Sequence, residues 1–326
     1  GIHPCSAVAR LRVPTLFIIL ALCVAMPGGR ALAQDPAPAQ GAAQVRSPAH
    51  DATTGAAAPI KVLAAHPVVY GLTLAITRDS GIILERAAPA KLPATRMASY
   101  FAGRGAKQLA QAASGADAVI SLRSIWPDDP LYPLARRSNI RVVDIDAARP
   151  VDGALPGVAL QAGSDARDYP WLNPVNLGRM ADVIAADLER LAPAAKPALQ
   201  DNLAVLKRSL VTLAADAEMQ LAELEDVSVA SLSDRLDYLV SGLNLDMALR
   251  DPRPEEEWSA DALDGFGDEL KAMGVKVVVH HREPAAGISQ AIADAGSRLV
   301  VLDTEQEDPV EQLRAMLQSL TEAFGQ

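Results

Sequence analysis

The sequence predicts an α/β protein of two lobes, each a parallel sheet flanked by helices, joined by one long linking helix. Three observations carry this. Short apolar runs alternate with helical patterns over residues 61–145 and again over 227–303, which is the pattern of parallel sheets covered on both faces. Between them, Leu199, Leu203, Leu206, Leu210, Leu213, Ala217, Leu221 and Leu224 recur at three- and four-residue steps with no glycine in the interval, the mark of an uninterrupted amphipathic helix. The length, 326 residues, suits two domains of ordinary size. Half of the residues are apolar but only 4% are aromatic, so Ala, Leu and Val must fill the interior.

The elements follow in chain order. Residues 1–33 read as a secretory signal: Arg10 and Arg12 precede an apolar run from Val13 to Met26, and Ala31-Leu32-Ala33 offers a small-x-small cleavage site. The apolar run is short for a membrane span, so export with cleavage before Gln34 is expected. Residues 34–59 are rich in Ala, Pro, Gln and Gly and read as a flexible tether. An N-terminal lobe is expected over 60–192, with strands at KVLAAH (61–66), GIILE (81–85), ADAVISL (116–122) and IRVVDI (140–145). An amphipathic helix, 174–191, leads to the linking helix at 193–225, whose Pro193 and Pro197 fall in or near the first turn. The C-terminal lobe, 226–326, repeats the alternation with strands at VSVASL (227–232), VKVVVHH (275–281) and SRLVVLD (297–303).

Both cysteines, Cys5 and Cys23, fall in the signal, so the mature chain has no disulfide, thiolate metal site or cysteine nucleophile. The signal also holds three of the 30 basic residues (Arg10, Arg12, Arg30) and none of the 40 acidic ones, leaving 27 against 40 and a mature charge of −13. That balance argues against nucleic acid or an anionic membrane as the main partner.

Several ordered segments of 60–326 resemble the zinc/manganese-type periplasmic solute-binding proteins of ABC transporters. They are WLNP (171–174) opening a helix, the long helix itself, SLSDRLDYLVSGLNL (231–245), SADALDGFGDELKAMGVKVVVHHREP (259–284) and LVVLDT (299–304). The resemblance implies two lobes, a rigid linking helix, a ligand cleft between the lobes, ABC permease subunits as partners, and no catalysis. It also implies a metal held by about three histidines, or two and a glutamate, plus an aspartate. Here the first ligand loop, KLPATRMASY (91–100), has no histidine, the second position is Tyr169 and the third is Ser233. Asp303 alone remains as a metal-ligand candidate, and a lone carboxylate is a poor zinc site.

Ligands of open α/β sheets sit beyond the carboxyl ends of the strands. Those ends carry Arg96, Tyr100, Arg123, Asp129, Ser233, Arg235, His281 and Glu283, with Tyr169 and Trp171 ahead of the helix at 174. Arg96, Arg123, Arg235 and Arg282 stand at four separate ends, and guanidinium forks suit carboxylate or phosphate. Trp126, Tyr132 and Trp171 could stack on a flat ligand or simply pack. His280 and His281, as strand neighbours, are expected to face opposite ways, and His66 closes the first strand.

The expectation is an exported, periplasmic, monomeric solute-binding component of an ABC importer, with a remodelled cleft for a small anion or a metal on an anionic carrier. No cofactor is called for beyond a divalent metal of unspecified identity. The alternatives are free zinc or manganese held by His281, Glu283, Asp129 and Asp303, or a regulatory binding protein without a solute. A third is an exported enzyme using Asp129, His281 and Asp303 as acid and base; the sequence has no P-loop and no G-x-S-x-G to support catalysis.

Overall fold

A computed structural model describes residues 57–164 and 168–326. The expected signal, most of the expected tether, both cysteines and His50 lie outside the described residues. Both lobes belong to one compact unit, residues 56–326.

The first sheet is built from β1 (Lys61–Ala64), β2 (Ile83–Arg86), β3 (Ala118–Ser121) and β4 (Val143–Asp146), all parallel, in the order β2-β1-β3-β4. β1 and β3 are central and buried on both faces, which is why they read as continuous apolar runs. Their side chains still alternate. Val62 and Ala64 join one core with α1 (Pro67–Thr77) and α5 (Pro174–Leu191). Leu63 and Val119 join another with α2 (Met97–Ala102), α3 (Ala106–Ser114) and α4 (Leu131–Ser138).

The second sheet repeats the plan. β5 (Ser228–Ser231), β6 (Asp246–Arg250), β7 (Val277–His280) and β8 (Arg298–Val301) are parallel in the order β6-β5-β7-β8. Ala230 and Val278 face α8 (Ala260–Met273) and α9 (Ala286–Asp294). Val229, Val277 and Val279 face the same core as α1 and α5. A short α7 (Asp237–Gly242) and the closing α10 (Pro309–Phe324) complete the lobe. Helix starts are set by side-chain caps: Asn173, Ser259 and Asp308 accept from the backbone N–H of Val175, Ala262 and Val310. α8 ends on Gly274 in the left-handed region (φ 66).

The linking helix is a short 3-10 turn, Pro193–Ala195, running into α6 (Lys196–Ala222) of 27 residues, roughly 40 Å long. Its face of Leu199, Leu206, Leu210, Leu213, Ala217 and Leu221 is buried. It packs on α1, α5 and α10, elements of both lobes.

Two local expectations change. Residues DMALR (246–250) form β6, where the sequence reading assigns no strand; this edge strand is only half covered and follows Asn244 at φ 54. Five strands also end earlier than expected, leaving His66, Leu122, Leu232, His281 and Asp303 in the loops that follow. Since His281 is outside its strand, pleat alternation no longer separates it from His280, and their rings lie 4.7 Å apart.

Candidate ligand cleft

Each sheet changes direction of winding at its centre, between β1 and β3 and between β5 and β7. Loops diverge at such switch points and leave a crevice at the carboxyl ends. A cavity of about 460 Å³ lies there. The first lobe lines it with Trp126, Asp128, Tyr169 and the stretch around Ala94, Thr95 and Ala98. The second lines it with Asp234, Arg235 and His281.

The wall of the first lobe is aromatic. Tyr169 stands 4.8 Å from Trp171 and 5.5 Å from Trp126, ring centre to ring centre. Behind them His66 packs edge-on against Trp126 at 5.3 Å and Trp171 at 4.9 Å. Its Nδ1 accepts from the Val68 N–H at 3.3 Å, capping α1, while its buried Nε2 has no hydrogen-bond partner. Burial pushes its pKa down to about 3, so the ring is neutral. Trp171 is thus the backing of Tyr169 rather than a cavity face, and it is 2% exposed.

The wall of the second lobe is polar. Ser233 Oγ accepts from the Arg235 N–H, capping a 3-10 turn, and shares a hydrogen bond of 2.7 Å with His281 Nδ1. That bond leaves Nε2 as the His281 nitrogen available to a ligand. Burial first, then the nearby Arg235, hold His281 down to about 3. His280 turns away: its Nδ1 accepts from the His281 N–H at 2.8 Å, and burial holds it down to about 4.

The two walls meet at Glu305, which sequence reasoning missed. The Tyr169 hydroxyl donates to Glu305 Oε1 at 3.1 Å. Arg235 Nη1 donates to the same oxygen at 3.4 Å and to Thr304 Oγ1 at 3.2 Å, with its guanidinium 5.0 Å from the Tyr169 ring centre. Burial, then the Glu305 carboxylate, hold the Tyr169 phenol well above its ordinary range, so it stays protonated. Burial likewise raises Glu305, opposed by Arg235, Tyr169 and the Ala94 N–H.

The remaining candidates are elsewhere. Asp129 turns inward and accepts from the Leu122 and Leu131 N–H groups at 2.9 and 3.1 Å, tying the loop into α4. Burial pushes it up to about 6 against those bonds. Its neighbour Asp128 faces the cavity instead. Arg123 pairs with Asp144 at 2.7 Å and lies over Tyr132. Tyr100 packs with Phe101 and Arg104, outside the cavity lining. Arg96 and Glu283 are exposed and also outside it, and Arg282 pairs with Glu255 at 3.0 Å. Asp303 is exposed and closes a turn by accepting from the Glu305 N–H at 2.9 Å. The sequence candidates brought together are therefore Trp126, Tyr169, Ser233, Arg235 and His281, backed by Trp171. Among the described residues, no three His, Cys, Asp or Glu side chains are grouped so as to hold a metal ion.

Residues 106–325 match the family model described as ZnuA, zinc-uptake complex component A, periplasmic. No curated protein matches the chain. Among solved structures, the crystal structure of ZnuA is 19% identical, covering 82% of this chain and 99% of that one, with a TM-score of 0.60. A mutant of FpvC from Pseudomonas aeruginosa is 21% identical over 82% of this chain and 99% of that one, at TM-score 0.64. The metal-dependent lipoprotein YcdH from Bacillus subtilis is 17% identical over 81% and 98%, at 0.61.

Proposed function

Because the chain belongs to the family of zinc-uptake complex component A, a family of periplasmic solute-binding proteins, we propose that it is the exported capture subunit of an ABC importer whose cleft takes a metal on an anionic carrier. The observation that carries this reading is the cavity's donor set. One imidazole nitrogen, His281 Nε2, and one guanidinium, Arg235, face a space of about 460 Å³. That volume is within the range of small-molecule sites, roughly 300–1,000 Å³. A bare zinc ion takes about four N, S or O ligands at close range, and no such cluster is present among the described residues. A chelated metal brings most of its own ligands, leaving one position for an imidazole and its carrier's carboxylates for Arg235.

The sequence expectation of an anion held by several arginines narrows accordingly. Of Arg96, Arg123, Arg235 and Arg282, only Arg235 lines the cavity; Arg123 and Arg282 are paired with Asp144 and Glu255, and Arg235, whose Nη1 is given to Glu305 and Thr304, would meet a carrier through its other N–H donors. A second reading, free divalent metal, is favoured by Asp128 and Asp234, which bring two carboxylates to the same cavity. Titration calorimetry of the chelator-stripped protein separates the two. Zn²⁺ alone and Zn²⁺ presented as its citrate complex are the probes. The expected result is at least a hundredfold preference for the complex, with at least a tenfold loss in His281→Ala. Tight binding of Zn²⁺ alone by the wild type would overturn the chelate reading in favour of the second.

A further inference from the structure

Five groups converge between the lobes as a set suited to a cation. From the second lobe come the Glu305 carboxylate, the Thr304 hydroxyl and the His281 imidazole; from the first come the Tyr169 ring face and hydroxyl. A carboxylate oxygen, a hydroxyl oxygen and an aromatic face each attract positive charge. The chain supplies that charge itself. Arg235 Nη1 is within 3.2 Å of Thr304 Oγ1 and 3.4 Å of Glu305 Oε1, and its guanidinium carbon lies 5.0 Å from the Tyr169 ring centre. Its side chain is 19% exposed and that of Glu305 26%, so the pair is partly shielded from the solvent that weakens open surface pairs.

Both members of this pair reach across the cleft. Arg235 contacts Tyr169 by its ring, and Glu305 contacts Tyr169 by its hydroxyl. The Ala94 N–H acts on the same Glu305 carboxylate, lowering its pKa against burial. We propose that Arg235 is a resident cation that fastens the cleft face of the two lobes together without any ligand, and that it keeps bare divalent metal out of the place it fills. A dication brought to this donor set would sit beside a fixed guanidinium charge, and like charges at such range repel strongly in a partly buried site. The latch does not depend on which solute the protein carries; the exclusion rests on the reading that bare metal is not its cargo.

Away from the cleft, two further ties join the lobes. The Tyr238 hydroxyl accepts from the Gln161 N–H at 2.8 Å and is 2.6 Å from Ser164 Oγ. Arg86 pairs with Glu307 at 3.3 Å. Loss of the Arg235 charge therefore loosens the cleft edge while these contacts and the shared core keep the lobes assembled. This separation makes the assignment testable by local hydrogen exchange in the ligand-free, chelator-treated full chain. Exchange in the 92–102 segment is expected to quicken at least tenfold in Arg235→Met and in Glu305→Gln, with α6 unchanged. Arg235→Lys, which keeps the charge, is expected to stay within threefold of wild type. Wild-type exchange in Arg235→Met, or equally fast exchange in Arg235→Lys and Arg235→Met, would overturn the latch. The same proteins titrated with ZnCl₂ alone give the second readout: Arg235→Met is expected to bind Zn²⁺ at least tenfold more tightly than wild type. An unchanged affinity ratio would overturn the exclusion. The exchange readout uses no metal, so failure of the carrier reading leaves the latch intact; tight binding of Zn²⁺ alone by the wild type would overturn the carrier reading and the exclusion together.

Discussion

His66 makes the stability of this protein depend on pH in a way that one substitution isolates. The imidazole is enclosed by Trp126 and Trp171, with one nitrogen capping α1 and the other unpartnered. Burial pushes its pKa down to about 3, against about 6.5 for an unfolded chain. A base whose folded pKa is depressed stabilises fully above its unfolded value and loses that contribution as pH falls towards the folded one. Between pH 7 and pH 5 the unfolded chain takes up the proton and the folded one does not. The loss over that interval is about 2 kcal/mol. His280 and His281 act in the same sense, being held near 4 and 3. Asp129 acts in the opposite sense: raised to about 6, it contributes most at low pH and loses that contribution as pH rises through its folded value. His66→Asn leaves those three groups in place, removes the titrating ring and keeps a side-chain oxygen suited to a helix cap. Urea denaturation followed by tryptophan fluorescence at pH 7 and pH 5 measures both proteins. Wild type should lose about 2 kcal/mol more than His66→Asn over the interval. Parallel pH profiles would refute the claim that this ring is buried and neutral.

Two further substitutions probe the contacts that hold the site. A Cβ at Gly71 on α1 would lie 1.9 Å from the Glu307 carbonyl oxygen and 2.8 Å from Pro309 Cδ, so Gly71→Ala must drive α1 and the 305–308 loop apart; a loss of about 1–3 kcal/mol is expected in denaturant titration, and wild-type stability would contradict the packing. Ser233→Ala removes both the cap of the 3-10 turn and the partner of His281 Nδ1. It should lower stability by about 1 kcal/mol, and ¹⁵N NMR of the His281 ring should change from one dominant tautomer to a mixture.

The fold was legible because its signals are local and repeated. β1, β3 and β7 announce themselves as short apolar runs because both faces of a central parallel strand are covered. α6 announces itself because one face meets apolar partners along much of its length. β6 escaped because an edge strand half open to solvent, with Asp246 and Arg250 at its ends, carries neither a continuous apolar run nor a clean alternation. The site was less legible because a side chain's destination depends on partners far away in the chain. Arg123 is drawn to Asp144, Asp129 to two backbone donors, and Arg282 to Glu255. Glu305 was hidden for the same reason. In the polar run TEQED (304–308) nothing local distinguishes the one carboxylate that turns to Tyr169 from Asp303, which folds back on its own loop.

The division of the core has a consequence for how the molecule holds together. Each sheet presents its outer face to a private set of helices, the first to α2, α3 and α4 and the second to α8 and α9. The inner faces share one apolar layer, in which Val62, Ile120, Val229 and Val279 belong to the same cluster as the leucines of α6. Neither lobe is therefore a complete folding unit. A chain cut at either end of α6 would not release two domains; each half would present the bared inner layer to water, and the cooperative unit is the pair.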